Sequence, residues 1–337
     1  MLLAAGLGGA AGWWLHMPAP WLCGAMAATI VLAITGWAIP LVRPINDLAM
    51  LSSGLTLGSA VTPETLLTFV TVPLSILGLF LTSLVVMVVT STVLIRYSGW
   101  QRRDAVLAAT PGALSSVMAL AVEEGADIPR IAIVQLFRLV MLVAVLPWVM
   151  VFAGMSMTLP VATQAPMTYH HLTILLLIGL SSGLALKALK ISAPFILGPM
   201  LSIGLLRGLE IFPGQYPIEL STAGFVLIGA LIGARFQGMR MREIIAIGPA
   251  ALLSFFVATG LGFLGAILVS KLVGLPLASA LMAFAPGGLE AMTALAFALR
   301  IDPVLVGVHH IARFTMIGIG LPLALKIRPS LIRGNAP

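Results

Sequence analysis

The sequence predicts an all-α polytopic integral membrane protein of two tandem inverted-topology repeats, with about ten crossings and two Pro-Gly broken or re-entrant helices. Three observations carry this. The 337 residues are 60% hydrophobic and only 9% charged, whereas a soluble domain carries about 25% charged residues. Apolar stretches such as 66–95 and 244–270 are long enough to cross a bilayer, which takes roughly 20 residues. They do not alternate apolar and polar residues as barrel strands do, so the spanning elements are helices. Finally, the chain repeats itself.

Pro111-Gly112-Ala113-Leu114 recurs as Pro286-Gly287-Gly288-Leu289, a shift of 175 residues. At that shift Asp127 meets Asp302, Arg138 meets Arg313, Pro147 meets Pro322, and Gly54 and Gly58 meet Gly229 and Gly233. At a shift of 174, Pro20 and Gly24 meet Pro194 and Gly198. Apolar matches are cheap in so greasy a chain; paired Asp, Arg and Pro-Gly at one shift are not. The expected organisation is an N-terminal repeat over 1–155, a linker over 156–169 and a C-terminal repeat over 170–330.

The elements follow in order. The first half offers apolar segments at 2–16, 20–42, 46–62, 65–96, 104–124 and 130–153. The second offers them at 170–187, 193–207, 221–236, 244–270, 276–299 and 304–325. The start, 1–14, lacks a charged n-region and reads as a membrane helix rather than a cleaved signal. If the Pro-Gly segments enter and leave on one side, each half crosses five times. With the N-terminus inside, thirteen Lys and Arg residues then lie on the cytoplasmic side, against Arg207, Lys271 and Arg300 outside. Six full crossings per half reduce the bias to nine against seven. The positive-inside rule therefore favours inverted halves and cytoplasmic termini, in a bacterial inner membrane. The count leaves open a broken helix that crosses while another segment does not.

The net charge of +7 does not argue for nucleic acid, because the basic residues sit singly or in twos and threes at the ends of apolar runs. The partners expected are the lipid bilayer and a small-molecule or ion substrate; a homodimer stays open. The single cysteine, Cys23, excludes an internal disulfide and a cysteine-rich metal site. The 17 methionines lack the His/Met clustering of a copper site. No cofactor is expected.

The candidate site centres on the Pro-Gly segments. Proline removes a backbone donor and fits the first turn of a helix, so new helices should begin after Pro111-Gly112 and Pro286-Gly287-Gly288. Their first amides need protein or a polar cavity, and two such ends from inverted halves could meet near the midplane, as in secondary transporters. Two kinks healed by neighbouring helices are the plainer alternative. Ser115 and Ser116 follow the first break, Glu290 and Thr293 the second. Glu290 suits a first-turn acid, a coupling cation or a proton.

Arg138 and Arg313 lie mid-way along the last segment of each half. A charge there needs a carboxylate, helix-end carbonyls or a substrate anion. His309 lies on the Arg313 face, as a core histidine or a proton carrier, and Gln135 stands where the second half has His310. Asp127 and Asp302 precede the last helix of each half, as caps or as coupling-ion groups.

Taken together, Pro-Gly-Gly-Leu, then Ala-Leu-Ala, then Gly125-Ala126-Asp127 and a membrane arginine resemble the AbrB family of duplicated membrane proteins. Segments 19–22 and 193–200 fit as well. The second half matches better, since the first has Ala113 and Ser115 where Gly288 and Glu290 stand. Family members carry names referring to an ammonia monooxygenase or to a regulator. The residues supply no catalytic constellation or metal set for an oxygenase, and no helix-turn-helix for DNA, so no enzyme is expected. The resemblance implies kinship with cation–proton antiporters and anion transporters, whose broken helices usually cross the membrane. The expected function is a secondary transporter moving a small, organic-anion-like solute by alternating access, coupled to protons or sodium. The alternative is a non-transporting membrane sensor or regulator of gene expression with the same fold; a membrane oxidoreductase is a distant third.

Overall fold

The computed structural model describes residues 1–38, 40–63, 72–112, 114–155, 167–189, 191, 193–212, 214 and 216–327, with the side chains of Ser115 and 324–327 outside the description. Most of the expected linker, 156–166, lies outside the described residues. The described residues form helices and no strand. In the first half these are α1 (Leu2–Trp14), α2 (Pro20–Ile34), α3 (Arg43–Ser59), α4 (Val72–Ser98), α5 (Arg102–Ala109), α6 (Leu114–Glu123) and α7 (Ile128–Phe152). In the second they are α8 (Tyr169–Ala188), α9 (Pro194–Gly208), α10 (Ile218–Ala234), α11 (Met241–Val273), α12 (Leu277–Phe284), α13 (Leu289–Ala298) and α14 (Pro303–Ile327). Five of them, α4, α7, α8, α11 and α14, are long and apolar enough to cross a membrane. At 1.5 Å per residue, the 33 residues of α11 extend to about 50 Å, well beyond a hydrocarbon core of about 30 Å.

Two compact units result, each drawing segments from both sequence halves. One comprises 1–70, 147–238 and 293–305; the other 71–146, 239–292 and 306–337. In the first, α1 packs on α2 and α8 on α9, while α2 lies against α10 and α3 against α9. Helices α2 and α9 start the same way. Ala19 (φ 51°) and Ala193 (φ 52°) are both left-handed, and each is followed by proline in the first turn. The α1–α2 contact is backbone to backbone: a Cβ on Gly24 would overlap the Gly8 carbonyl oxygen.

In the second unit α4 packs on α11 and α5, and α11 on α12. Its core joins Leu94 of α4, Leu107 and Ala108 of α5, Val117 and Leu120 of α6, Ile131 and Val134 of α7, and Ala251 of α11. Between helices in a bilayer such contacts stabilise through close van der Waals packing rather than through transfer from water. Of the short helices, α12 is buried from Ala278 to Phe284 and α5 from Leu107 to Ala109, whereas α6 leaves Val122 65% exposed.

Candidate functional site

Both Pro-Gly segments belong to the second unit. Helix α5 ends at Ala109 and α6 starts at Leu114; α12 ends at Phe284 and α13 starts at Leu289. Gly112 has φ +81°, a left-handed conformation that costs a side chain. Pro111, Pro286 and Gly287 are buried.

A helix that stops short leaves its last carbonyls without partners. Here an arginine meets each set. Arg138 of α7 donates from Nη2 to the Thr110 carbonyl at 3.1 Å and from Nη1 to Ala108 at 3.5 Å. Arg313 of α14 donates from Nη2 to the Gly287 carbonyl at 3.1 Å and from Nη1 to Phe284 at 3.4 Å. Beside Arg138, Gln135 donates to the Leu107 carbonyl at 2.9 Å. Guanidinium suits this work because its planar fork reaches two acceptors at once.

The two breaks meet. The point where a Cβ would sit on Gly112 is 3.0 Å from Arg313 Nε and 3.4 Å from the Gly287 oxygen. The corresponding point on Gly287 is 3.4 Å from Leu142, and that on Gly288 is 3.5 Å from Leu139. Helix α7 therefore bonds the first break through Arg138 and packs on the second through Leu139 and Leu142. Helix α14 bonds the second break and touches the first through Arg313.

The electrostatics are one-sided. Arg138 and Arg313 are 2% and 1% exposed. Among the described residues neither has a carboxylate partner, and the Nε of each is buried without an acceptor. Carbonyl dipoles orient a guanidinium but leave its net charge in place. Each guanidinium so placed keeps one buried Nε–H without an acceptor among the described residues, and a buried charge held only by neutral groups is costly.

The other candidates are placed as follows. Glu290 is half-buried in the first turn of α13, its Oε2 3.5 Å from the Cβ point of Gly288. Thr293 is fully buried on the same helix. Ser116 Oγ lies 3.5 Å from the Cβ point of Gly318 on α14. The Ser115 side chain lies outside the described residues. Asp302 Oδ1 accepts from the amides of Val304 (3.0 Å) and Leu305 (3.1 Å) and so caps α14. Burial raises the Asp302 carboxyl above the usual carboxylate range, against those two bonds. Asp127 Oδ1 accepts from the Arg130 amide at 3.1 Å at the start of α7, and Asp127 Oδ2 pairs with Arg130 Nε at 3.6 Å.

Fully buried His309 meets Ser75 of α4, Nε2 to Oγ 2.8 Å. The Ser75 hydroxyl also lies 2.9 Å from the Val72 carbonyl, to which it can donate; which of Ser75 and His309 donates to the other follows from the imidazole tautomer. His310 donates from Nδ1 to the Val306 carbonyl at 2.9 Å, and its Nε2 is buried without a partner among the described residues. Ser75 had no signal in the sequence, being one of many small residues on an apolar helix. No group of three or more His, Cys, Asp or Glu among the described residues could hold a metal.

Finally, a cavity of about 550 Å³ lies along α4 and α14, with Pro111 and Arg313 in its wall. Gly112, Ser116, Arg138, Pro286, Gly287, Gly288, Glu290 and Thr293 do not line it.

Fold and site together define an all-helical polytopic membrane protein with buried arginines at two helix interruptions. Residues 21–328 match the AbrB family, described as Transition state regulatory protein AbrB, and the chain belongs to that family. It is similar to "Putative regulator AbrB" of Escherichia coli (strain K12), 24% identical over 295 residues that cover 87% of this chain and 85% of that protein. It is also similar to "Uncharacterized protein YhjN" of Bacillus subtilis (strain 168), 26% identical over 264 residues, 71% of this chain and 67% of that protein.

Proposed function

We propose that this chain is a secondary-transporter-like membrane protein that binds a small organic anion at Arg138 and Arg313 and moves it by alternating access. The observation that carries the reading is the pair of buried guanidiniums, each held by neutral carbonyls at a Pro-Gly interruption and without a carboxylate partner. An anion entering there supplies the missing charge, and two helix ends that meet can part and re-form around it. The duplicated motifs, read as inverted repeats in a bacterial inner membrane with cytoplasmic termini, support alternation between two faces. Glu290, on the turn after the second break, is our candidate for a coupling proton or sodium ion. The reading is of a carrier, not an oxygenase.

The test is uptake into proteoliposomes of radiolabelled acetate, butyrate and succinate, with and without proton and sodium gradients. Uptake of at least one should be saturable and should be lost in Arg313→Gln and in Arg138→Gln. A second reading, a membrane sensor with the same fold, is favoured by the name of the Escherichia coli relative, a regulator. It predicts that the same anions bind and stabilise the protein while no uptake occurs in any gradient. If no anion binds, or both arginine variants bind normally, the anion site is wrong.

A further inference from the structure

The cavity beside Arg313 says what kind of anion the site would take. At about 550 Å³ it is within the roughly 300–1,000 Å³ of small-molecule sites. Most of its wall is apolar. Helix α4 supplies Phe80, Leu84 and Val88, and α14 supplies Ile317 and Leu321. Two of its hydroxyls, on Ser91 and Thr92, are turned back onto the Val88 carbonyl at 3.0 and 2.7 Å. Their polarity is thereby largely satisfied within α4. Among the described residues, Arg313 and Arg102 are the charged members of the lining, with no acid. From Arg313 to Leu321 the cavity follows α14 for about 12 Å, the reach of a medium-length hydrocarbon chain rather than of acetate. Two of the lining side chains, Phe80 and Leu84, are 39% and 40% exposed.

We infer that this cavity binds the apolar tail of an amphipathic organic anion, a medium-chain monocarboxylate, with its head group at Arg313. The inference rests on the anion-site reading above and adds to it the substrate's chemical class. Charge complementarity selects the head: Arg313 is a buried cation in the lining, without a carboxylate partner among the described residues. A quaternary ammonium with the same tail should be rejected there. A neutral alcohol would fill the walls and leave the cation uncompensated.

The experiment uses the full chain in nanodiscs of phosphatidylcholine, with binding to empty discs subtracted. Radiolabelled butyrate, hexanoate and octanoate are the probes, with octyltrimethylammonium and octanol as competitors. Affinity should rise by up to about fourfold per added methylene, and octyltrimethylammonium should not compete. Gly320→Phe isolates the tail site. Gly320 lines the cavity, and nothing lies within 4 Å of a Cβ built there. The ring should fill the cavity without disturbing the helix, abolishing the octanoate preference while butyrate still binds and the melting temperature holds. Arg313→Gln should abolish binding of all three.

If butyrate binds but octanoate binds no more tightly, or Gly320→Phe leaves octanoate unchanged, the tail cavity is refuted while the anion site stands. If Arg102→Gln and not Arg313→Gln removes octanoate, the head group sits at the other end and the inference fails. If no carboxylate binds, the anion site itself fails.

Discussion

Gly112→Ala tests whether the two breaks are locked together through Arg313. The residue has φ +81°, and alanine in the left-handed region costs about 1–2 kcal/mol. The new methyl would lie 3.0 Å from Arg313 Nε and 3.4 Å from the Gly287 oxygen. The first of these is too close, so Arg313 must give by a few tenths of an ångström. It has little freedom, because its carbonyl bonds to Gly287 and Phe284 already measure 3.1 and 3.4 Å. A hydrogen bond to a charged group contributes about 1.5–3 kcal/mol, so weakening the longer one adds about 1 kcal/mol. The expected loss is therefore about 2–3 kcal/mol.

Gly99→Ala is the control. Gly99 has φ +65° with nothing within 4 Å of its Cβ point. It carries the backbone cost alone, about 1–2 kcal/mol. The gain from a stiffer unfolded chain is the same for both substitutions and cancels. Thermal unfolding followed by tryptophan fluorescence in one detergent should place Gly112→Ala below Gly99→Ala by a few degrees. Only Gly112→Ala should also weaken carboxylate binding. Equal melting temperatures with unchanged binding would refute the contact between the breaks.

Two further outcomes are expected. Gly24→Ala puts a methyl into the Gly8 backbone and should separate α1 from α2, whereas Gly6→Ala, with nothing within 4 Å, should be neutral or stabilising by up to about 1 kcal/mol; unfolding midpoints of the two variants check this. Burial raises the folded-state carboxyl of Asp302 above its unfolded value. Its protonation therefore adds stability that is fully present below the unfolded pKa and is lost as pH rises through the folded one. Asp302→Asn, which keeps the capping oxygen, should match or exceed the parent at neutral pH and lose that advantage on acidification, as melts between pH 7 and pH 4 will read. Asp302→Ala should lose about 1 kcal/mol of capping at the acidic end of this range and less near pH 7, where the parent bears the buried charge.

The helices were legible in the sequence because their signals are local. Apolar runs at 130–153 and 170–187 lie within two residues of α7 and α8, and the proline-glycine pairs fall where α5 and α12 stop. The left-handed starts at Ala19 and Ala193 were not legible, since alanine carries no mark of positive φ. The arginines stood out as isolated charges within apolar runs, and the structure buries both. Their partners could not be read, because backbone carbonyls are present at every residue and only the fold decides which are left over. The helix starts after each break drew attention to amide donors, whereas the polar groups Arg138 and Arg313 engage are the carbonyls before each break. The Ser75–His309 contact joins positions 234 residues apart and has no pattern in sequence. The repeated motifs gave no sign that each compact unit draws segments from both halves of the sequence.

A carbonyl clamp and an anion site ask different things of Arg313, and Arg313→Lys separates them. The clamp depends on shape. Nη1 and Nη2 of one plane reach the Phe284 and Gly287 carbonyls together, and an ammonium on a flexible stem has no such fork. The anion site depends on charge, which lysine keeps. If Arg313 serves both, Arg313→Lys should lower the melting temperature, because one or both carbonyls lose a donor, and should still bind butyrate, more weakly than the parent. Arg313→Gln keeps some hydrogen bonding but no charge, and should lose butyrate altogether. The order of the two variants is what discriminates. With Arg313 only a clamp, binding follows stability, so whichever variant melts lower also binds worse. With Arg313 an anion site as well, binding follows charge: lysine binds and glutamine does not, whatever their melting temperatures. Butyrate binding that tracked melting temperature across the two variants would leave Arg313 as a structural residue and return the search for the substrate to Arg138 and Glu290.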